Sequence, residues 1–261
     1  MKKLSIVTVV LAIAGLACSS IVPQAVRGSG NLTTKTFEVG GFSAVELNTI
    51  GRVEFVQGEV ASLEVEADDN IMPYVDVRVA NGTLQLSDKA NALLLPSDTI
   101  IFRVTAKNVN ALTVSSSGAI SSESVAADNL TLALNGSGEI SLAKASGRQC
   151  TITSDGSGRI TVGTLECDRV GLDMSASGVV NLSGETPLLT LVGSGSGDAA
   201  LGDLKATDVR AHLSASGSAT VWAVEALDAK VEGSGSLSYY GQPKVTSSMT
   251  GSGSLNSLGT H

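Results

Sequence analysis

From Leu112 to Leu255 apolar and polar residues alternate in a pattern that starts afresh about every 20 residues. Each restart carries the dipeptide Ser-Gly, with its glycine at Gly118, Gly138, Gly158, Gly178, Gly197, Gly217, Gly235 and Gly253, so that the spacings are 20, 20, 20, 19, 20, 18 and 18. Aligned on that glycine, the position eight before it holds Leu130, Cys150, Val170, Leu189, Val209, Leu227 and Val245. The position six before it holds Leu112, Leu132, Ile152, Leu172, Leu191, Ala211 and Ala229, and the position two after it holds Ile120, Ile140, Ile160, Val180, Ala199, Ala219, Leu237 and Leu255. Intervening columns are mostly Ser, Thr, Asn and Asp. Period-2 hydrophobicity belongs to a strand with one buried face, and no segment here shows the 3.6-residue spacing of a helix. A fixed repeat of this length is the mark of a solenoid, in which one repeat buries its apolar face only by stacking on its neighbours. The pattern predicts an all-β fold, a parallel β-helix (β-solenoid) with regular coils over residues 111–258 and about 20 residues per coil.

Two positions before the repeat glycine the residue is Ser116, Gly136, Gly156, Ala176, Gly195, Ala215, Gly233 or Gly251. Only small side chains occur there, which implies a bend with little interior room or with positive φ. Upstream, Val45, Leu47, Val53 and Phe55 repeat the same offsets around Gly51 and read as a degenerate first coil. Strand-like stretches follow at Leu63–Val65, Val75–Val79, Leu84–Leu86 and Ile100–Val104, parted by Asp68-Asp69-Asn70, Asn81-Gly82 and a loop holding Pro96. Residues 35–110 are thus expected to form an irregular N-terminal β cap, which a solenoid needs to close its edge.

With 43% hydrophobic and 16% charged residues in 261, the chain can bury a substantial core. A net charge of −8 repels phosphate backbones and anionic headgroups, so no nucleic-acid partner is expected. Lys2 and Lys3 precede an uncharged, largely apolar run, Leu4–Ala17, laid out as a secretory signal. That run is too short to cross a bilayer, which takes about 20 apolar residues. It ends in Gly15-Leu16-Ala17-Cys18, which resembles a bacterial lipobox and implies a lipid on Cys18; residues 1–18 are then the signal and 19–34 a tether. Ordinary signal-peptidase cleavage nearby would instead leave a secreted chain. Cys150 and Cys167 fall three strand positions out of phase, about 10 Å along a strand, whereas a disulfide needs Cα atoms within about 7 Å. Two buried free thiols are the expectation.

Catalytic chemistry finds little to work with. Glu139 and Arg159 share a column in adjacent coils, and Asp155 and Asp173 lie nearby in sequence, which reads as a surface ion pair and solvated turn acids. The two histidines, His212 and His261, have no metal-ligating partner at useful spacing, so neither a metal site nor a cofactor is expected. Gly193-Ser194-Gly195-Ser196-Gly197 has the glycine density of a phosphate-cradling loop, but no helix pattern follows it, as such a loop requires. Serine precedes every repeat glycine from Ser117 to Ser252 and forms a ladder. Aromatics are only 3% of the chain, yet Trp222, Tyr240 and Leu258 stand five places after the glycine in three successive coils. An outward strip of this kind would be a contact patch for a protein or glycan partner; a bend that tucks the rings inward would make it edge shielding.

Phe42 to Gly58, the turn Asn81-Gly82-Thr83-Leu84 and the serial Ser-Gly coils together resemble the bacterial head GIN domain family, whose members are labelled auto-transporter adhesins. The resemblance spans about residues 35 to 257. It implies a right-handed parallel β-helix on an exported, often lipid-anchored protein, and it carries no agreed catalytic residues. The expected role is a non-catalytic, adhesin-like binding or scaffold protein of the cell envelope or surface, touching the membrane only through its N-terminal lipid and offering an open solenoid edge to a second copy. Two other readings are a regulatory envelope component that associates with a membrane signalling partner, and a degenerate carbohydrate-active β-helix, which the missing acid–base cluster disfavours.

Overall fold

A computed structural model describes residues 24–89 and 92–261, so the signal segment and Cys18 lie outside the described residues. Strands account for nearly all of it. The repeat unit is a long bent strand, seen as Glu139–Ser154, Arg159–Met174, Val179–Gly193, Asp198–Leu213 and Ser218–Gly233. Each lies parallel on the next, and the register joins the residues that the glycine alignment places in one column: Ile140 to Ile160, Cys150 to Val170, Ile152 to Leu172. The columns are interior. Ile140, Ile152, Ile160, Val180, Leu201, Val221 and Leu237 have essentially no solvent exposure, and each such side chain contributes about 1.5–3 kcal/mol relative to an exposed one. The chain is a β-solenoid of about 20 residues per coil, as the period predicted.

Adjacent coils approach closely at the Gly-Ser-Gly bends. A β-carbon at Gly156 would sit on the carbonyl oxygen of Gly136, and one at Gly158 on the carbonyl oxygen of Gly138. Room, rather than backbone conformation, selects glycine at both places: neither residue has positive φ.

The first coil, Ala44–Leu47 and Arg52–Gln57, stacks in register on Ala111–Val114 and Ala119–Ala126. Its other side carries Thr83–Asp88 and Ile101–Ala106, also parallel. The first coil in sequence is therefore second in the stack, and the strand-like stretches after it lie beyond it. There the pairing turns antiparallel. Val75–Ala80 folds back on Thr83–Asp88 through Asn81 and Gly82, both with positive φ, the hairpin geometry that this dipeptide favours. Ser62–Asp68 runs antiparallel to Ile101–Ala106, and Leu32–Phe37 antiparallel to Ser62–Asp68.

Two sequence expectations need correction. The second half of the segment read as a tether is docked: Gln24–Arg27 pairs with Ala92–Leu95, and Leu32–Phe37 belongs to the cap. Leu32–Phe37 is exposed on nearly every residue, so it leaves no hydrophobic alternation to detect; backbone pairing and the packing of Phe37 against the core hold it. Cys150 and Cys167, expected as free thiols, form a disulfide with Cα atoms 6.1 Å apart. Gly147 pairs with Cys167 and Cys150 with Val170, while Arg148 and Asp168 between them drop out of the ladder. The chain turns a corner there, so the offset of three residues runs around a bend, and the chord is shorter than the straight-strand distance.

Candidate binding face

The sites singled out in the sequence do not converge. Glu139 and Arg159 are register neighbours with exposed side chains, and Asp173 is exposed as well. Asp155 accepts a hydrogen bond from the Ser175 hydroxyl at 2.6 Å. Gly193–Gly197 is a bend that leads into the strand Asp198–Leu213, without a helix. His212 meets the Glu232 carboxylate at 2.8 Å, and Lys230 reaches the same group at 3.0 Å. The hydrogen bond from His212, then that from Lys230, holds Glu232 below the ordinary carboxylate pKa. Among the described residues no group of three or more His, Cys, Asp or Glu is placed to hold a metal ion. The serines of the ladder, from Ser117 to Ser252, are exposed along one edge of the rod.

The aromatic strip takes a different form from a flat exposed stripe. Trp222 and Tyr240 are register partners in adjacent coils and are half-buried, whereas Leu258 is 45% exposed. His261 completes the cluster. Its ring stacks on Trp222 with centroids 4.2 Å apart and planes 7° from parallel, meets Tyr240 edge-on at 4.8 Å, and approaches Asp203 at 3.3 Å. The Lys205 ammonium stands 5.9 Å from the Trp222 ring centroid. Tyr240 lies over Gly202, where a β-carbon would come within 3.2 Å of the tyrosine ring.

Lys205, like His261 and Asp203, is a member that sequence reasoning missed. Counting from the repeat glycine aligns Trp222 with Gly202, but the register steps from Leu201–Val221 directly to Lys205–Trp222. Gly202, Asp203 and Leu204 have no register partner in the following coil, although Asp203 and Leu204 pair with Ser183 and Gly184 in the preceding one, and Leu204 is turned into the core. The signal was present in the spacing, which falls from 20 to 18 after Gly217. The true outward row is Glu166, Glu185, Lys205, Trp222 and Tyr240, one residue per coil. Beside it runs an open groove of about 530 Å³ lined by Glu166, Asp168, Glu185, Pro187, Lys205 and Glu225 among others. A second groove, of about 560 Å³ over Glu54, Ser121, Glu123, Ser141 and Thr161, has no exposed aromatic ring in its lining.

Three solved structures share the fold. A "putative adhesin" from Parabacteroides distasonis superposes with a TM-score of 0.85 at 23% identity, covering 90% of this chain and 100% of its own. A "putative lipid binding protein" from the same organism gives 0.83 at 22%, with the same coverage. A "putative adhesin" from Parabacteroides merdae gives 0.81 at 20%, covering 90% and 99%. No protein of curated function matches the sequence. The family profile described as "Putative auto-transporter adhesin, head GIN domain" matches residues 41–161 and again 143–243. Those two matches take in most of the coils and much of the cap, and the chain belongs to the head GIN domain family.

Proposed function

We propose that this chain is a non-catalytic, adhesin-like binding module of the bacterial cell envelope, tethered through an acylated Cys18. The observation that carries the proposal is the row Glu166, Glu185, Lys205, Trp222 and Tyr240, which presents charged and aromatic groups along one outer face of a stiff stack. Such a face suits contact with an extended partner. His261 and Asp203 meet on this face at 3.3 Å, but among the described residues no hydroxyl or thiol is hydrogen-bonded to either, which speaks against nucleophilic turnover. The disulfide accords with an exported chain, since exported compartments are oxidising. Lipid binding, named for one structural neighbour, would have to use the outer surface, because aliphatic side chains fill the interior. The test is binding of fluorescently labelled full-length chain to intact bacterial and host cells. Replacing Trp222 and Tyr240 together by serine is expected to weaken binding by about tenfold or more, as loss of a central aromatic anchor does. Unchanged cell binding would retire this face as the contact site.

A further inference from the structure

We infer that the Trp222 face is a sugar slot for a non-anionic, linear pyranose oligosaccharide, and that the chain's own His261 occupies the slot in competition with it. The inference rests on the reading that this face is the contact face, and it adds the ligand class and the occupant. Three observations carry it. First, His261 sits as a ligand ring would: stacked on an indole at 4.2 Å, flanked edge-on by Tyr240, with its ring nitrogen 3.3 Å from the Asp203 carboxylate. A flat aromatic surface beside an acceptor carboxylate is the chemistry that holds a pyranose, whose C–H face stacks while its hydroxyls donate. Second, the slot is continuous with a groove, because Lys205 both approaches the Trp222 ring and lines the groove toward Glu185 and Glu166. Successive members of this row recur once per coil, about 4.8 Å apart, close to the length of one sugar unit in an extended chain, so each unit would meet one side chain. Third, Glu166, Asp168, Glu185 and Glu225 line the groove with Lys205, and Lys144 pairs with Glu166 from beside it at 2.8 Å, so the acids outnumber the cations by two. That balance repels uronates and sulfated chains and accepts neutral or amine-bearing ones.

Trp222 is the only tryptophan, so its emission reports the slot directly. The full-length chain and the H261A variant are titrated with N-acetylglucosamine hexasaccharide, glucosamine hexasaccharide and polygalacturonate. H261A is expected to bind one or both hexasaccharides about tenfold tighter than the unaltered chain, because an intramolecular competitor has been removed. Polygalacturonate is expected to leave the emission of both unchanged. By calorimetry W222S loses the hexasaccharide and W222F retains it, with circular dichroism melts confirming that each variant folds. The inference is overturned if H261A binds no tighter than the unaltered chain, if polygalacturonate binds as well as the hexasaccharides, or if no hexasaccharide binds at all. Cell binding that needs Trp222 and Tyr240 but resists every hexasaccharide would sink the sugar slot and leave the contact face standing. Cell binding indifferent to both residues would sink the contact face itself.

Discussion

Ser154 is fully buried in the column that otherwise runs Val114, Leu134 and Met174, and its hydroxyl has no hydrogen-bond partner among the described residues. A buried hydroxyl left unmade costs about 1–3 kcal/mol, so S154A is expected to stabilise the fold by about 1 kcal/mol, read as a higher midpoint in urea with an unchanged slope. The columns themselves were legible residue by residue, because period 2 and a fixed repeat leave one assignment for every Leu, Ile and Val. Asp68 was not legible. It looked like a turn acid, but it is buried and accepts from the Gly30 amide at 2.8 Å, from the Ser97 amide at 2.9 Å and from the Ser97 hydroxyl at 2.5 Å. The donors lie 38 and 29 residues away, beyond any local pattern. These bonds, that from the Ser97 hydroxyl foremost, hold its pKa below the ordinary carboxylate value. A pKa lowered on folding gives stability that is complete above the unfolded value near 3.9 and fades as pH falls through the folded one. D68N is therefore expected to melt at a lower temperature than the unaltered chain at neutral pH, with the gap closing below about pH 4; a gap independent of pH would exclude the carboxylate as the cause.

Among the elements, the bent strand Glu139–Ser154 departs most instructively from expectation. The alternation gives its two ends correctly, but the corner between them is written only in Gly147 and Arg148, which break the period without announcing a direction. Treating the strand as straight placed Cys150 and Cys167 out of reach, and the corner brings them together. Their bond spans 17 residues, and a loop of that size contributes about 3 kcal/mol through the unfolded state. The double variant C150A/C167A is expected to lose that amount in urea unfolding, and dithiothreitol should lower the unaltered chain toward the same midpoint. The other displaced element is the row bearing Trp222. Three residues, Gly202–Leu204, that have no partner in the following coil carry Lys205 into line with the tryptophan, and only the shortened spacing of later coils hints at it. His261 was equally hidden, since nothing local places a residue beyond the last strand against a ring two coils earlier.

In the molecule as a whole, two ends of different construction enclose one continuous apolar interior. At the N-terminal end the outermost parallel layer is covered by antiparallel strands, and Arg103 on that cap reaches Glu54, Glu64 and Glu66 at 3.6, 3.2 and 2.9 Å. Each of these ion pairs is partly exposed and worth under about 1 kcal/mol; together they tie the first coil to the cap's closing strand. Architecture of this kind was legible in outline, because a run of irregular strands before regular coils announces a closed end. The order of layers was not, since the alternation says which face is buried and nothing about which coil lies beside which.

That order bears on how such a chain can change length. The layer built from Thr83–Asp88 and Ile101–Ala106 sits outside the layer built from Ala44–Leu47 and Arg52–Gln57, so the closed end is held together by pairings that skip over one another in sequence. From Asn129 onward every coil pairs only with its predecessor and its successor. Duplication or loss of one whole Ser-Gly unit there would shift all later rungs by a single step and leave the closed end untouched, whereas the same event between residues 44 and 106 would separate partners that no neighbouring unit can replace.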